Sequence, residues 1–223
     1  MKKYDFNTFT LKDTERLFQL RRNDDLPFMQ DWVNAPLIVP DEETVAHLER
    51  LRKILLVWKG HWNESEARTR FSIPLLDLVG FNLPPFQTFS QKRVFVEKRE
   101  YRIHGQIDWS MARGVEQTST PIFFLHDQKR FRKNDDPLAQ LLAAMMISKI
   151  VLKEKFIGMG AFVIDSQWQW VAVDNDVYAV SSPVAPAQPE GLIRLYSHLL
   201  WAKGTLAKHI EAHFKKKSVL QMR

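Results

Sequence analysis

Cysteine is absent from the 223 residues of this chain, so disulfides and thiolate metal sites are excluded and the redox compartment stays open. Long apolar runs are missing too. The longest, "LLAAMMI" from Leu141 to Ile147, is far too short to span a membrane. The start, "MKKYDFNTF", has two lysines with no apolar run behind them, which argues against a secretory signal and makes a cytoplasmic location the expectation. No internal repeat or low-complexity tract is visible.

Hydrophobic residues make up 45% and charged residues 26%, the balance of a globular domain with a sizeable core. The formal net charge is +6, which favours polyanionic partners because neutralised phosphates release counterions. Charge alone leaves the nucleic-acid reading open, since many basic proteins bind none.

Residues 1–58 read as an N-terminal arm and helix packed on a body formed by 59–223, the whole making one compact unit. The first forty residues look irregular, with Phe28, Trp32 and Leu37 as anchors. From Asp41 to Trp58 the pattern becomes helical: Val45, Leu48, Leu51, Leu55 and Trp58 recur at three- and four-residue steps behind an acidic first turn. A second helix is expected from about Glu64 to Val79, with Asn63 as N-cap and Gly80 closing it, bent or broken at Pro74.

Strands follow the "LPPF" loop. In "KRVFVEKREYRIHGQIDWSMA", Tyr101, Ile103, Ile107 and Trp109 share one face, and Arg102, His104, Gln106 and Asp108 the other. "PIFFLHDQKRF" begins apolar on both faces, as a central strand would. "DDPLAQLLAAMMISKIVLK" reads as a helix capped by Asp135 or Asp136, with Pro137 in its first turn. "GMGAFVID", "QWQWVAV" and "VYAV" are further strands, and a helix from about Glu190 to Phe214 ends the chain with a lysine tail. This order predicts an α/β or α+β fold, one mixed sheet flanked by helices.

Asp108 stands near the end of its strand on the polar face. Asp127 and Lys129 are two apart and so share a face of the next strand. Two neighbouring carboxylates repel unless a cation lies between them, and hard oxygen donors suit Mg²⁺ or Mn²⁺. A lysine beside them could offset charge on a phosphorane-like transition state. Against this, Asp-x-Lys arises often by accident in so charged a chain, and polar residues at strand ends are commonly just solvated.

The order of parts carries more than any one of them. A helix with Glu, a strand with Asp, a strand with Asp-x-Lys and a helix with Gln together resemble the PD-(D/E)xK nuclease superfamily, the restriction-endonuclease-like fold. Here Ile107-Asp108 replaces Pro-Asp. "NESEARTRFSIPLL", Asn63 to Leu76, resembles the first helix of the N-terminal nuclease domain of type I restriction enzyme R subunits. The resemblance covers roughly residues 60 to 180, and nothing resembles a helicase motor. It implies metal-dependent hydrolysis of DNA, with Glu64 (or Glu66), Asp108 and Asp127 as metal ligands. Lys129 would act at the scissile phosphate and Gln140 would orient the lysine or a water. It also implies a homodimer, because two strands need two cuts. A different class stays open: a nuclease-fold module that no longer cuts and binds nucleic acid or a protein partner.

Other features point less far. "HIEAH" sets His209 and His213 one turn apart, yet a zinc site needs a third ligand and an open position. "GMG" lacks the strand–turn–helix context of a phosphate loop and reads as a turn before a strand. His104 and His126 read as sheet residues. The cations of "KRFRKNDD", Lys129 to Asp136, are either a solvated loop or phosphate contacts. Trp168 and Trp170 are expected in the core.

Overall fold

The computed structural model describes residues 2–5, 8–58, 60–97, 101–113, 121–128, 136–152 and 157–221. The fold is mixed α/β, a single mixed sheet flanked by helices. Its strands are β1 (Lys2–Asp5), β2 (Arg21–Arg22), β3 (Phe86–Glu97), β4 (Tyr101–Arg113), β5 (Pro121–Gln128), β6 (Gly158–Ile164), β7 (Gln167–Asp174) and β8 (Val177–Val180). The helices are α1 (Leu11–Phe18), α2 (Pro27–Val33), α3 (Glu42–Trp58), α4 (Glu64–Ala67), α5 (Ile73–Val79), α6 (Pro137–Leu152) and α7 (Pro189–Gln221). The strand order is β1-β4-β5-β6-β7-β8-β2, with β3 paired to β4.

Local chemistry accounts for most of these elements. The Asp136 carboxylate accepts the Ala139 N–H at 3.0 Å and Pro137 opens α6, where a missing N–H costs nothing. The same carboxylate accepts the Leu11 N–H at 2.8 Å, which ties the start of α1 to that of α6. β6 and β7 are joined by Asp165 and Ser166, both at positive φ (49° and 70°), the two-residue turn that matches strand twist. Helix α6 crosses from β5 to the parallel β6.

The two faces of the sheet bury separate cores. On one side Trp109, Met111, Phe123, Leu125, Met159, Ala161, Trp168, Trp170 and Ala179 meet α2, α3, α5 and α7. On the other, Ile103, Ile107, Phe124, Phe162, Val171, Val173 and Tyr178 meet α6. Trp168 and Trp170 are fully buried, as their spacing implied.

Four expectations need correction. Residues 1–40 are not irregular throughout: β1 runs parallel to β4 and β2 parallel to β8, with α1 between them in the chain and α2 following β2. These strands are short and charged, so they carry no alternating apolar signal. Trp32 is buried, but Leu37 is 55% exposed and anchors nothing. In α3 the buried stripe is Leu48, Leu51 and Leu55, while Val45 and Trp58, at its two ends, are exposed. "GMG" is part of β6 itself, with Gly158 paired to Val173.

Pro74 does not break its helix. Asn63 and Glu66 form a reciprocal capping box, Gly80 ends the run at φ 86°, and the backbone between stays helical. Residues Arg68–Ser72 widen into a π-turn, in which the Ile73 N–H donates to the carbonyl of Arg68. The wider turn eases the fit of a proline ring that a regular α-turn would press against the carbonyl four residues back.

Candidate active site

Strand β4 has three partners and only two edges. β3 pairs along it from Arg102 to Arg113. The other edge is shared: β5 pairs with residues 109–112 and β1 with residues 101–104. Asp108 lies between these two ladders, one residue beyond the Trp109–Leu125 pair, where the partner strands part. A side chain in such a gap can meet groups from outside the sheet.

The sheet also changes face there. Ile103 and Ile107 are buried against α6, whereas Trp109 and Met111 are buried on the opposite side. Strict alternation would keep all four on one side. The switch falls at Asp108, opposite Gln91, whose φ of 52° is left-handed. A non-glycine residue in that region is unfavourable and marks a local break in the pleat. Pairing resumes on both sides, at Ser90–Trp109 and Lys92–Ile107. The kink sets Asp108 and Trp109 on the same side of the sheet, the side that carries α4, the π-turn and α5.

On that side Arg68 meets Asp108. Its guanidinium Nη1 lies 3.1 Å from Asp108 Oδ1, with side-chain exposures of 10% and 27%. Arg68 is the first residue of the π-turn, and its N–H donates to the carbonyl of Glu64. Glu64 is therefore one turn back on the same helix face. A guanidinium removed this far from water requires a carboxylate partner, and Asp108 supplies it. The arginine was in view in "NESEARTR", but nothing in the sequence tied it to an aspartate forty residues on.

The two glutamates divide in role. The Glu66 carboxylate accepts the Asn63 N–H at 2.9 Å, and the Asn63 side chain accepts the Glu66 N–H at 2.9 Å. Glu66 is thus committed to the start of α4, and Glu64 is the one set beside Arg68. Asp127 follows Leu125 by two positions near the end of β5. It pairs through its backbone with Val163 of β6, and α4 packs on β5. The side chain of Asp127 and the whole of Lys129 lie outside the described residues, as do Lys129 to Asp135 of the basic stretch. Gln140 is in the first turn of α6, 8% exposed, its N–H donating to the Asp136 carbonyl at 3.0 Å.

His104 is exposed on β4, its Nδ1 3.8 Å from Asp5 Oδ2. His126 lies in β5 and His213 in α7, both with undescribed side chains, and His209 is exposed. Among the described residues no three of His, Asp and Glu are grouped to hold a metal ion, and no helix is long and apolar enough to cross a membrane.

A cavity of about 630 Å³ lies away from Asp108, between α2, the 181–188 loop and the start of α7, with Trp170, Ser181, Arg194 and His198 in its wall. His198 is buried and fully engaged: the Trp170 Nε1–H donates to its Nδ1 at 2.8 Å, and its Nε2–H donates to the Val33 carbonyl at 3.1 Å. Burial pushes its pKa down to about 4, against the Val33 hydrogen bond and with help from the charge of Arg194. This neutral histidine is a structural link between α2, β7 and α7.

No protein-family model and no curated protein matches the chain. Among solved structures, a cryo-EM structure of a DrdV–DNA complex is similar, with 12% identity, a TM-score of 0.39, and coverage of 70% of this chain and 14% of that one. The chain thus spans about one-seventh of the length of that neighbour.

Proposed function

We propose that the chain is a restriction-endonuclease-like, metal-dependent phosphodiesterase acting on DNA. The observation that carries the reading is the position of Asp108. It stands in a break of β4, on the side of the sheet that bears Glu64 and Arg68, at the end where β5 brings Asp127. Asp108 is therefore mid-strand in β4 and not near its end, and a constellation drawn from one helix, a strand break and a strand end is how such a fold would assemble a site.

The donor set fits a hard divalent cation. Glu64, Asp108 and Asp127 offer carboxylate oxygens and no sulfur, which suits Mg²⁺ or Mn²⁺. Such an ion would supply Lewis acidity at the phosphate and a more acidic bound water. The chain's own contributions are positional. The capping box fixes the first turn of α4 and so the place of Glu64. Arg68 holds the Asp108 carboxylate. Lys129, two residues after Asp127, would set positive charge against the developing negative charge, and Gln140 would orient that lysine or the attacking water.

One observation favours a second reading, a nuclease-fold module that binds nucleic acid or a protein partner without cutting. Arg68 already neutralises Asp108, so the pair is satisfied without an ion. Calorimetric titration of Mn²⁺ into the whole chain separates the two. The phosphodiesterase reading expects uptake that is lost in Asp108→Asn, a change that keeps an acceptor for Arg68. Equal heats from both proteins would support the non-cutting module.

A further inference from the structure

The outer half of the β3–β4 ribbon, residues 92–97 and 101–107, extends beyond the pairing of β4 with β5. One of its faces is buried, through Val96, Ile103 and Ile107 against the α6 side. The other carries Arg93, Phe95 and Glu97 on β3, and Arg102, His104 and Gln106 on β4. That face lies on the side of the sheet where Arg68 meets Asp108. Phe95 is 49% exposed, so part of its ring is open to solvent on that face. The Arg102 guanidinium lies 4.9 Å from its centroid and also reaches Glu97 at 3.4 Å. Arg93 is exposed and has no partner among the described residues. Lys98 and Arg99 come next in the chain.

A half-exposed ring flanked by arginines, with the carboxylates of Glu97 and, beside His104, Asp5 at its margins, suits a ligand that is both aromatic and anionic. Nucleic acid is such a ligand, and a base can present its flat face only if it is unpaired. Phe95 pairs in register with His104, four residues before Asp108 along β4, a separation of roughly 13 Å at strand rise. A strand of DNA lying on the ribbon would therefore run toward the carboxylate site within a few nucleotides.

We propose that this face of the ribbon is a docking shelf for single-stranded DNA, with an unpaired base stacked on Phe95 and adjoining phosphates on Arg93 and Arg102. The assignment rests on the phosphodiesterase reading and adds that the substrate is single-stranded, or unpaired, on this side of the site.

The test uses the full chain with a fluorescein-labelled oligothymidylate, the same oligomer with an abasic position at each site in turn, and a blunt duplex of equal length, in Ca²⁺. The variants are Phe95→Ala, Phe95→Trp and Arg93→Ala, each checked for folding by circular dichroism. Phe95→Ala should weaken the oligothymidylate roughly tenfold, the scale of one lost base–aromatic stack, with less than a twofold effect on the duplex. Phe95→Trp should retain the affinity, and one abasic position should mimic Phe95→Ala. Arg93→Ala should weaken binding and flatten its salt dependence. Single-strand affinity within twofold of wild type for Phe95→Ala would overturn the shelf. So would a change confined to self-association, seen by sedimentation, which would make the face a contact between copies. Neither outcome touches the site reading, which stands or falls on Asp108→Asn and metal-dependent cleavage.

Discussion

At the scale of single residues, the Arg68–Asp108 pair changes what a substitution at Asp108 means. The sequence presents Asp108 as a polar-face residue that alanine should replace at little cost. In the fold, alanine would leave the guanidinium of a side chain only 10% exposed without its carboxylate. Breaking a buried pair costs roughly 3–5 kcal/mol, and the partial exposure of Asp108 lowers this to about 2 kcal/mol. Urea unfolding should show that loss for Asp108→Ala and a smaller one for Asp108→Asn. Equal stabilities would mean that the pair is not formed in solution. His198 makes the second prediction at this scale. Its folded pKa, about 4, is below the ordinary histidine value, so the unfolded chain binds more protons between about pH 6.5 and pH 4. Stability contributed by the neutral ring is therefore complete above about pH 6.5 and is lost as the pH falls, by up to about 3 kcal/mol. The carboxylates of Asp41 and Asp176, held down mainly by the Thr44 N–H and by Arg21 respectively, lose their contributions only at lower pH. Urea midpoints measured from pH 7.5 to pH 4.5 should fall for wild type and fall less for His198→Gln.

At the scale of elements, what could be read from the sequence follows the strength of local signals. Asn63, Gly80, Asp136 and Pro137 act within a few residues of themselves, and the ends of α4, α5 and α6 follow from them. The apolar start of β5 and the buried tryptophans of β7 were equally plain. β1 and β2 were not, because "KKYD" and "RR" gain their strand form from partners far along the chain. Nor was the kink at Asp108, since a left-handed Gln91 has no glycine or asparagine to announce it. The π-turn escaped for a related reason: Pro74 signals that a regular helix is disturbed, not how the disturbance resolves. The capping box offers a direct test. Asn63→Ala removes the acceptor for the Glu66 N–H and should cost about 1 kcal/mol in urea unfolding. Because α4 is only four residues long, amide exchange at Glu64 to Ala67 should also quicken. Unchanged exchange there would show that α4 is fixed by its packing on β5 instead.

At the scale of the whole molecule, the sequence order of helix, strands, helix and strands foretold a mixed sheet flanked by helices, and the fold has that form. It could not foretell that Arg68 meets Asp108, because that depends on the shared edge of β4 and on the side to which the kink turns Asp108. The net charge of +6 makes a prediction of its own. If Lys129, Arg130, Arg132 and Lys133 contact phosphates, log affinity for duplex DNA should fall with log salt at a slope of roughly −3 or steeper. Binding across a salt series reads this directly, and a flat dependence would remove the electrostatic argument. The central claim is that Asp108 belongs to a metal-dependent phosphodiester-cleaving site, and cleavage of plasmid DNA in Mg²⁺ by wild type and by Asp108→Asn tests it most directly. The account predicts nicking or linearisation by wild type that stops with chelator and is absent in the folded Asp108→Asn protein. Cleavage by Asp108→Asn at the wild-type rate, or none by wild type in Mg²⁺ or Mn²⁺, would contradict it.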